Sequence, residues 1–107
     1  MTKIFSDLSI IIPTFYPGEI INNCIDSLPQ ESDIIIVDNG DDPELEYILK
    51  NKYPRIRHYK IGDIGLPKSF NFAVKRTKNE NILITQPDVT FEKDTISNLI
   101  SASIKYP

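Results

Sequence analysis

The sequence has few of the residues that stabilise small folds through disulfide bonds or metal ions: its 107 residues include one cysteine and one histidine. A single cysteine, Cys24, excludes an intrachain disulfide and a cysteine-built metal site, and it is compatible with a reducing cytosol. We expect Cys24 to be a buried helix residue. His58 lies inside an apparent strand, without a second histidine at metal-binding spacing or the signature of a serine or cysteine nucleophile. We therefore expect His58 to be structural.

Long hydrophobic runs and an excess of basic residues are also absent. No segment approaches the roughly 20 apolar residues that span a bilayer, and the run from Leu8 to Ile12 is too short for the core of a signal peptide. The 12 Lys and Arg residues are scattered and are outnumbered by 15 Asp and Glu, a net charge of −3 that argues against nucleic acid as a ligand. We therefore expect a cytoplasmic protein, with peripheral contact at the inner membrane face left open.

The length and the ordinary composition predict one domain over residues 1–107. Short runs rich in Ile or Val, bounded by Pro, Gly, Asp or Asn, predict four strands: Leu8–Ile12, Asp33–Val37, Ile56–Ile61 and Asn81–Thr85. Apolar residues three and four apart predict four helices: Pro17–Leu28, Pro43–Lys52, Pro67–Arg76 and Asp94–Ile104. The alternation predicts an α/β fold, with a mainly parallel, Rossmann-like sheet of about four strands and flanking helices.

Polar and turn-forming residues follow each predicted strand. The four segments are Pro13–Pro17, Asp38–Asp42, Gly62–Gly65 and Gln86–Val89. The carboxyl ends of parallel strands meet at one edge of the sheet, and ligands of such sheets bind beyond that edge near a switch in strand order. The sequence therefore favours a ligand site there.

Four sequence blocks together resemble one enzyme family. Residues 9–15 (SIIIPTF) and 34–40 (IIIVDNG) are similar to the opening of family 2 glycosyltransferases of the GT-A fold. Residues 63–65 (DIG) with the later Asn71 resemble the Asn-x-Gly and following Asn of the family. Residues 86–89 (QPDV) resemble the metal-binding motif of rhamnosyltransferase-like members. Each block alone is weak, but four in register over about eighty residues are specific.

The resemblance implies a nucleotide-sugar site. It places Pro13, Thr14 and Asp38 at the nucleotide base, where a fixed carboxylate suits the imide N–H of a uracil-type or thymine-type base. The alternative for Asp38 is a carboxylate that caps the loop following it. Phe15 or Tyr16 is a candidate neighbour of the base.

The resemblance also implies roles in the third block. Asp63 stands where relatives often have Asn, and Gly65 lets the backbone pass close to the nucleotide sugar. Lys68 is a candidate partner of a phosphate, the alternative being a solvated surface lysine. Asn71 either lines the pocket or fixes the loop before it.

The fourth block implies a metal ligand. Asp88 corresponds to the last aspartate of the Asp-x-Asp motif, which in relatives binds a divalent cation that bridges the diphosphate. Hard oxygen ligands suit Mg²⁺ or Mn²⁺. Gln86 replaces the first acidic position, so weakened metal binding is expected. The alternative for Asp88 is a cap of the helix that follows.

Relatives that invert the anomeric carbon take a carboxylate general base from well downstream of the metal motif, whereas this chain ends at Pro107. We therefore expect residues 1–107 to be the N-terminal, donor-binding part of a truncated glycosyltransferase, without a catalytic residue of its own. The parent would transfer sugar from a UDP-linked or dTDP-linked donor to a glycan or lipid-linked acceptor, which binds through the missing half. We also expect self-association, because a truncated sheet exposes an edge and apolar helix faces.

Other function classes fit less well. A nucleotidyltransferase needs a Gly-rich phosphate loop with Lys or Arg after the first strand, and residues 13–17 do not form one. A receiver domain needs an acidic pair at the same place, and none is present. A non-catalytic donor-binding or interaction module stays the alternative to an enzyme.

Overall fold

The computed structural model describes residues 7–105 of the chain. Strands and helices alternate along it, which confirms the predicted α/β class. In chain order they are β1 (Leu8–Thr14), α1 (Ile20–Asp26), β2 (Asp33–Asp38), α2 (Pro43–Lys52), β3 (Arg57–Lys60), α3 (Leu66–Val74), β4 (Asn81–Ile84) and α4 (Thr95–Lys105).

The four strands form one parallel sheet in the order β3-β2-β1-β4. The chain first moves outward from β1 through β2 to β3, and it then returns to place β4 on the other side of β1. The strand order therefore reverses between β1 and β4. In open parallel sheets this reversal leaves a crevice at the carboxyl ends of the two strands.

The two central strands, β1 and β2, are covered on both faces. On one face Ile10, Ile12 and Ile36 pack in a core with apolar residues of α1, α2 and α4. On the other face Ile11 and the neighbouring apolar residues of β2 pack against Ala73 of α3. Apolar side chains on consecutive positions suit strands buried on both sides, so these two runs fix the centre of the sheet.

Strand β1 extends two residues beyond the predicted end at Ile12. The Asn39 N–H donates to the Thr14 carbonyl at 2.9 Å, whereas the Thr85 N–H donates to the Ile11 carbonyl at 3.0 Å. Alternate residues therefore bond to opposite neighbours, and Pro13 faces the β4 side. Proline cannot donate a ladder hydrogen bond, and β1 pairs with β4 only as far as Ile11 while its pairing with β2 continues to Thr14.

Helix α1 is shorter than the predicted span Pro17–Leu28. Tyr16 and Gly18 both have positive φ, at 51° and 69°, and this turn delays the helix until Ile20. The other three helices begin and end within two residues of the predicted positions. Cys24 is buried on α1 as expected.

Among residues 7–105, none of the helices is long and apolar enough to cross a bilayer.

Candidate functional site

A cleft of about 650 Å³ opens where the strand order reverses. We name it the switch cleft. Segments that follow all four strands contribute to its lining, which consists of Pro13, Thr14, Phe15, Pro17, Ile20, Asn39, Asp63, Gly65, Leu66, Phe70, Ile84, Thr85, Gln86, Pro87 and Asp88. Apolar walls with a few polar groups are typical of a small-molecule site.

The switch cleft brings together six of the nine residues predicted from sequence: Pro13, Thr14, Phe15, Asp63, Gly65 and Asp88. The other three lie elsewhere. Asp38 is fully buried, and Lys68 and Asn71 are exposed on α3. Their roles in binding stay predictions.

Asp38 holds the loop that follows β2. Its Oδ1 accepts the Gly40 N–H at 2.8 Å and lies 3.5 Å from the Thr14 hydroxyl, which donates to it. The side chain is 0% exposed. This carboxylate therefore caps its own loop, as one of the two sequence interpretations expects.

Asn39, which sequence reasoning missed, presents a polar side chain to the switch cleft while it is only 7% exposed. Its amide Nδ2 donates to the Thr14 and Val37 carbonyls, both at 3.4 Å. Its Oδ1 accepts a hydrogen bond from the Ser69 hydroxyl on α3. Asn39 thus ties the ends of β1 and β2 to α3 at the cleft wall.

Gly65 sets the backbone of the cleft wall at the start of α3. Its φ of 86° and ψ of 153° lie in a region essentially restricted to glycine. Its carbonyl accepts the Ser69 N–H at 3.0 Å and lies 3.0 Å from the Ser69 hydroxyl oxygen. A Cβ at position 65 would meet no atom within 4 Å, so the backbone conformation, rather than space for a Cβ, requires glycine.

Two exposed aromatic residues follow β1, and the first of them, Phe15, lines the switch cleft. Phe15 is 64% exposed and Tyr16 53% exposed, and their rings meet edge to face with centroids 4.9 Å apart. The Tyr16 ring lies over Gly40, where a Cβ would come within 2.8 Å of Cε2. The Tyr16 hydroxyl accepts the Asp41 N–H at 3.0 Å. Tyr16 therefore links the loop after β1 to the loop after β2.

Asp88 places a free carboxylate on the switch cleft. It is exposed, and no other residue of the described part of the chain donates a hydrogen bond to it or pairs with it. Burial of the Cys24 thiol and, secondarily, the negative charge of Asp88 raise the pKa of Cys24 to about 11. Among the side chains that the structure describes, residues 7–101, no Lys, Arg or His forms an ion pair with Asp88.

The groups beside Asp88 suit a hard cation only in part. Gln86 is exposed next to it on the cleft, so carboxylate and amide oxygens are available. Within residues 7–105 no three His, Cys, Asp or Glu side chains are grouped to hold a metal ion. Mg²⁺ commonly takes one or two carboxylates and fills its remaining positions with phosphate oxygens and water. This site fits such an ion when a phosphorylated ligand supplies the other oxygens.

Sequence comparison identifies the family. A sequence profile described as glycosyl transferase family 2 matches residues 9–107. The chain belongs to glycosyl transferase family 2. The Rossmann-like sheet is thus that of a glycosyltransferase domain of this family. No curated protein sequence matches the chain.

Solved structures with the same fold include two of S. aureus TarS. The structure of TarS 1-349 superimposes with a TM-score of 0.75 at 22% identity, over 94% of this chain and 33% of that one. A second TarS structure gives a TM-score of 0.73 at 24% identity, over 92% of this chain and 19% of that one. This chain therefore spans a third or less of the TarS chains it resembles, and the likeness concerns the fold.

Proposed function

We propose that the switch cleft binds the nucleotide-diphosphate sugar used by a glycosyltransferase. The observation that carries the proposal is the meeting of Thr14, Asp63, Gly65 and Asp88 at the point where the strand order reverses. Ligands of open parallel sheets bind at this point, and family membership supplies the class of ligand.

The base end of the ligand is assigned to the β1 side of the cleft. Thr14 and Asn39 present polar groups there, and exposed Phe15 offers an aromatic face. The base of UDP or dTDP, uracil or thymine, carries one imide N–H and two carbonyls. These groups suit a wall that offers both hydrogen-bond donors and acceptors. Asp38 acts from beneath this wall through its hydrogen bond to Gly40.

The diphosphate end is assigned to the β4 side. Asp88, with Gln86 beside it, would hold Mg²⁺ or Mn²⁺ together with phosphate oxygens. A bound cation supplies positive charge against the negative charge of the departing nucleoside diphosphate. Asp63 and the Gly65 backbone border the same space, and Lys68 and Asn71 extend from the helix that begins there. The Gln86 position motivates assignment to a rhamnosyltransferase-like variant.

The proposed reaction of the whole enzyme is transfer of the sugar to a hydroxyl of a glycan or lipid-linked acceptor, with inversion at the anomeric carbon. In a single displacement, a carboxylate general base takes the proton from the attacking hydroxyl. This chain matches 33% and 19% of the two TarS chains. We assign the general base and the acceptor site to a segment of the whole enzyme that corresponds to the unmatched part of TarS. The 107 residues alone are expected to bind the nucleotide weakly and to transfer no sugar.

Calorimetric titration with UDP and dTDP, with and without Mn²⁺, tests the proposal. We expect one of the nucleotides to bind more tightly with Mn²⁺, and Asp88→Asn to abolish the gain from the metal. Glu80→Gln is the matched control, because it removes the same charge from an exposed residue at the amino end of β4, on the opposite edge of the sheet. Binding of neither nucleotide, or an unchanged Mn²⁺ effect in Asp88→Asn, would refute the proposal.

Self-association is a further part of the proposal. Exposed apolar side chains occur at several sites, among them Tyr47 at 69%, Leu66 at 54% and Leu99 at 50%. Light scattering of the chain over a range of concentrations tests it, and a monodisperse monomer throughout would count against it.

A further inference from the structure

Two buried polar atoms face each other below the cleft wall. Asp38 Oδ2 and His58 Nε2 are 3.9 Å apart, and neither has a hydrogen-bond partner among the described residues. This distance is too long for a hydrogen bond. A buried polar atom without a partner destabilises the fold. We therefore expect the distance between these two atoms to shorten when His58 becomes protonated.

The strand register places the two side chains together. In the parallel pairing of β2 with β3, Ile36 lies opposite His58 and Asp38 lies opposite Lys60. Alternate side chains of a strand share a face, so His58 and Asp38 project from the same side of the sheet. The side chain of His58 is 15% exposed and that of Asp38 is 0% exposed.

The other oxygen of Asp38 reaches the switch cleft through the backbone. Asp38 Oδ1 accepts the Gly40 N–H at 2.8 Å, and Asn39 between them lines the cleft. The two oxygens are bonded to the same carbon, so a carboxylate that turns or shifts toward His58 also moves Oδ1 and disturbs its bond to Gly40. The position of Asp38 and the conformation of this part of the cleft wall are therefore coupled.

We propose that His58 is a positioning residue: protonated His58 draws the Asp38 carboxylate toward β3, loosens the loop from Asp38 to Gly40, and weakens nucleotide binding in mild acid. The last step rests on the proposed function. The first two concern only this chain and can be tested without any ligand.

The charges around His58 set the pH range. Burial lowers the pKa of His58 below its ordinary 6.5, while the Asp38 carboxylate opposes this. Lys60 on β3 also lowers the pKa, and Glu46 of α2 and its N-cap residue Asp42 raise it. His58 is therefore neutral at pH 7 and gains its proton below pH 6.5. We therefore expect the loop from Asp38 to Gly40 to loosen in that acidic range.

The amide of Gly40 reports on the loop directly. In ¹⁵N NMR spectra of the chain recorded from about pH 5 to 8, we expect the Gly40 amide to shift with the same midpoint as the His58 ring, below pH 6.5. In His58→Gln, which keeps a polar group but cannot take up a proton, this shift should disappear. A Gly40 amide that does not titrate, or that titrates equally in His58→Gln, overturns the proposal.

A second variant keeps the test decisive if His58→Gln does not fold. Asp38→Asn removes the charge and retains the shape of the side chain. Because a carboxylate within reach favours the protonated imidazole, the His58 midpoint should fall by about 1 pH unit in Asp38→Asn. An unchanged midpoint would show that the two groups do not interact, and the proposal would fail.

Nucleotide binding measured as a function of pH separates this inference from the proposed function. If UDP or dTDP binds, its dissociation constant should rise below the His58 midpoint, by at most about tenfold per pH unit for one proton, and His58→Gln should abolish this rise. A pH-independent dissociation constant in the unmodified chain overturns the effect on binding. If neither nucleotide binds at any pH, the proposed function fails, and the Gly40 titration still decides whether His58 positions the loop.

Discussion

Replacing Ser69 by alanine removes the hydroxyl that joins α3 to the loop after β2. Ser69 is fully buried, and its Oγ donates to Asn39 Oδ1 and lies 3.0 Å from the Gly65 carbonyl. The Asn39 side chain is 7% exposed, so water cannot readily replace the lost partner. Leaving a buried acceptor without its donor costs about 1–3 kcal/mol.

The net loss in Ser69→Ala is smaller, because alanine stabilises a helix by about 0.5 kcal/mol relative to serine. We expect the free energy of unfolding to fall by about 0.5–2.5 kcal/mol. At a urea m value of about 1 kcal/mol per molar, the unfolding midpoint followed by circular dichroism falls by about 0.5–2.5 M.

Ser97→Ala is the matched control for this prediction. Ser97 is also a helical serine, and its hydroxyl bonds only to the backbone carbonyl of Asp94, at 3.0 Å, in an exposed position. Removing this hydroxyl should change the free energy of unfolding by no more than about 0.5 kcal/mol. Equal effects of Ser69→Ala and Ser97→Ala would refute the claim that Ser69 supports the wall of the cleft through Asn39.

Three further predictions concern stability and the loops. Gly65→Ala should lower the free energy of unfolding by about 1–3 kcal/mol in urea titrations, because its backbone region excludes alanine; a loss below about 0.5 kcal/mol would contradict the assigned conformation. Gly40→Ala should displace the Tyr16 ring, so Tyr16 fluorescence should become more accessible to iodide quenching, and equal quenching would show that the ring does not cover Gly40. Burial opposes ionisation of Asp33, yet hydrogen bonds led by that from Arg57 hold its pKa below 3.8. Its stabilising contribution is therefore present above pH 3.8 and is lost as the pH falls through the lowered pKa; the fall of Tm in acid should be smaller in Arg57→Gln, and an equal fall would contradict the pairing.

The sheet could be predicted from sequence because its central strands are encoded by unusually simple runs. Ile10 to Ile12 and Ile34 to Val37 are apolar on consecutive positions, and both runs are buried on both faces. The start of α1 could not be predicted with the same accuracy. Tyr16 adopts a positive φ, a conformation that tyrosine rarely takes, and no local sequence signal marks it.

The candidate site was predictable where its residues follow strands directly. Thr14 is the last residue of β1 and Asp88 lies four residues after the end of β4. The order of the strands brings both to one cleft. Asn39 follows the end of β2 directly, but its uncharged side chain is a weaker sequence signal than the neighbouring carboxylate of Asp38. Ser69 and His58 gave no such signal, because their contacts depend on helix placement and strand register.

One proline in a central strand suits the place where the switch cleft opens. Proline is usually excluded from such strands because it removes a ladder hydrogen bond. Pro13 is tolerated because it faces the side where β4 has ended, while β1 continues to pair with β2 through the bond from Asn39 N–H to Thr14. Pro13 is thus compatible with the gap beyond the end of β4. Because β1 continues past it, Thr14 reaches the border of that gap. Polar groups can line that gap because no strand there uses them in a ladder, and the reversal of strand order places the gap between β1 and β4.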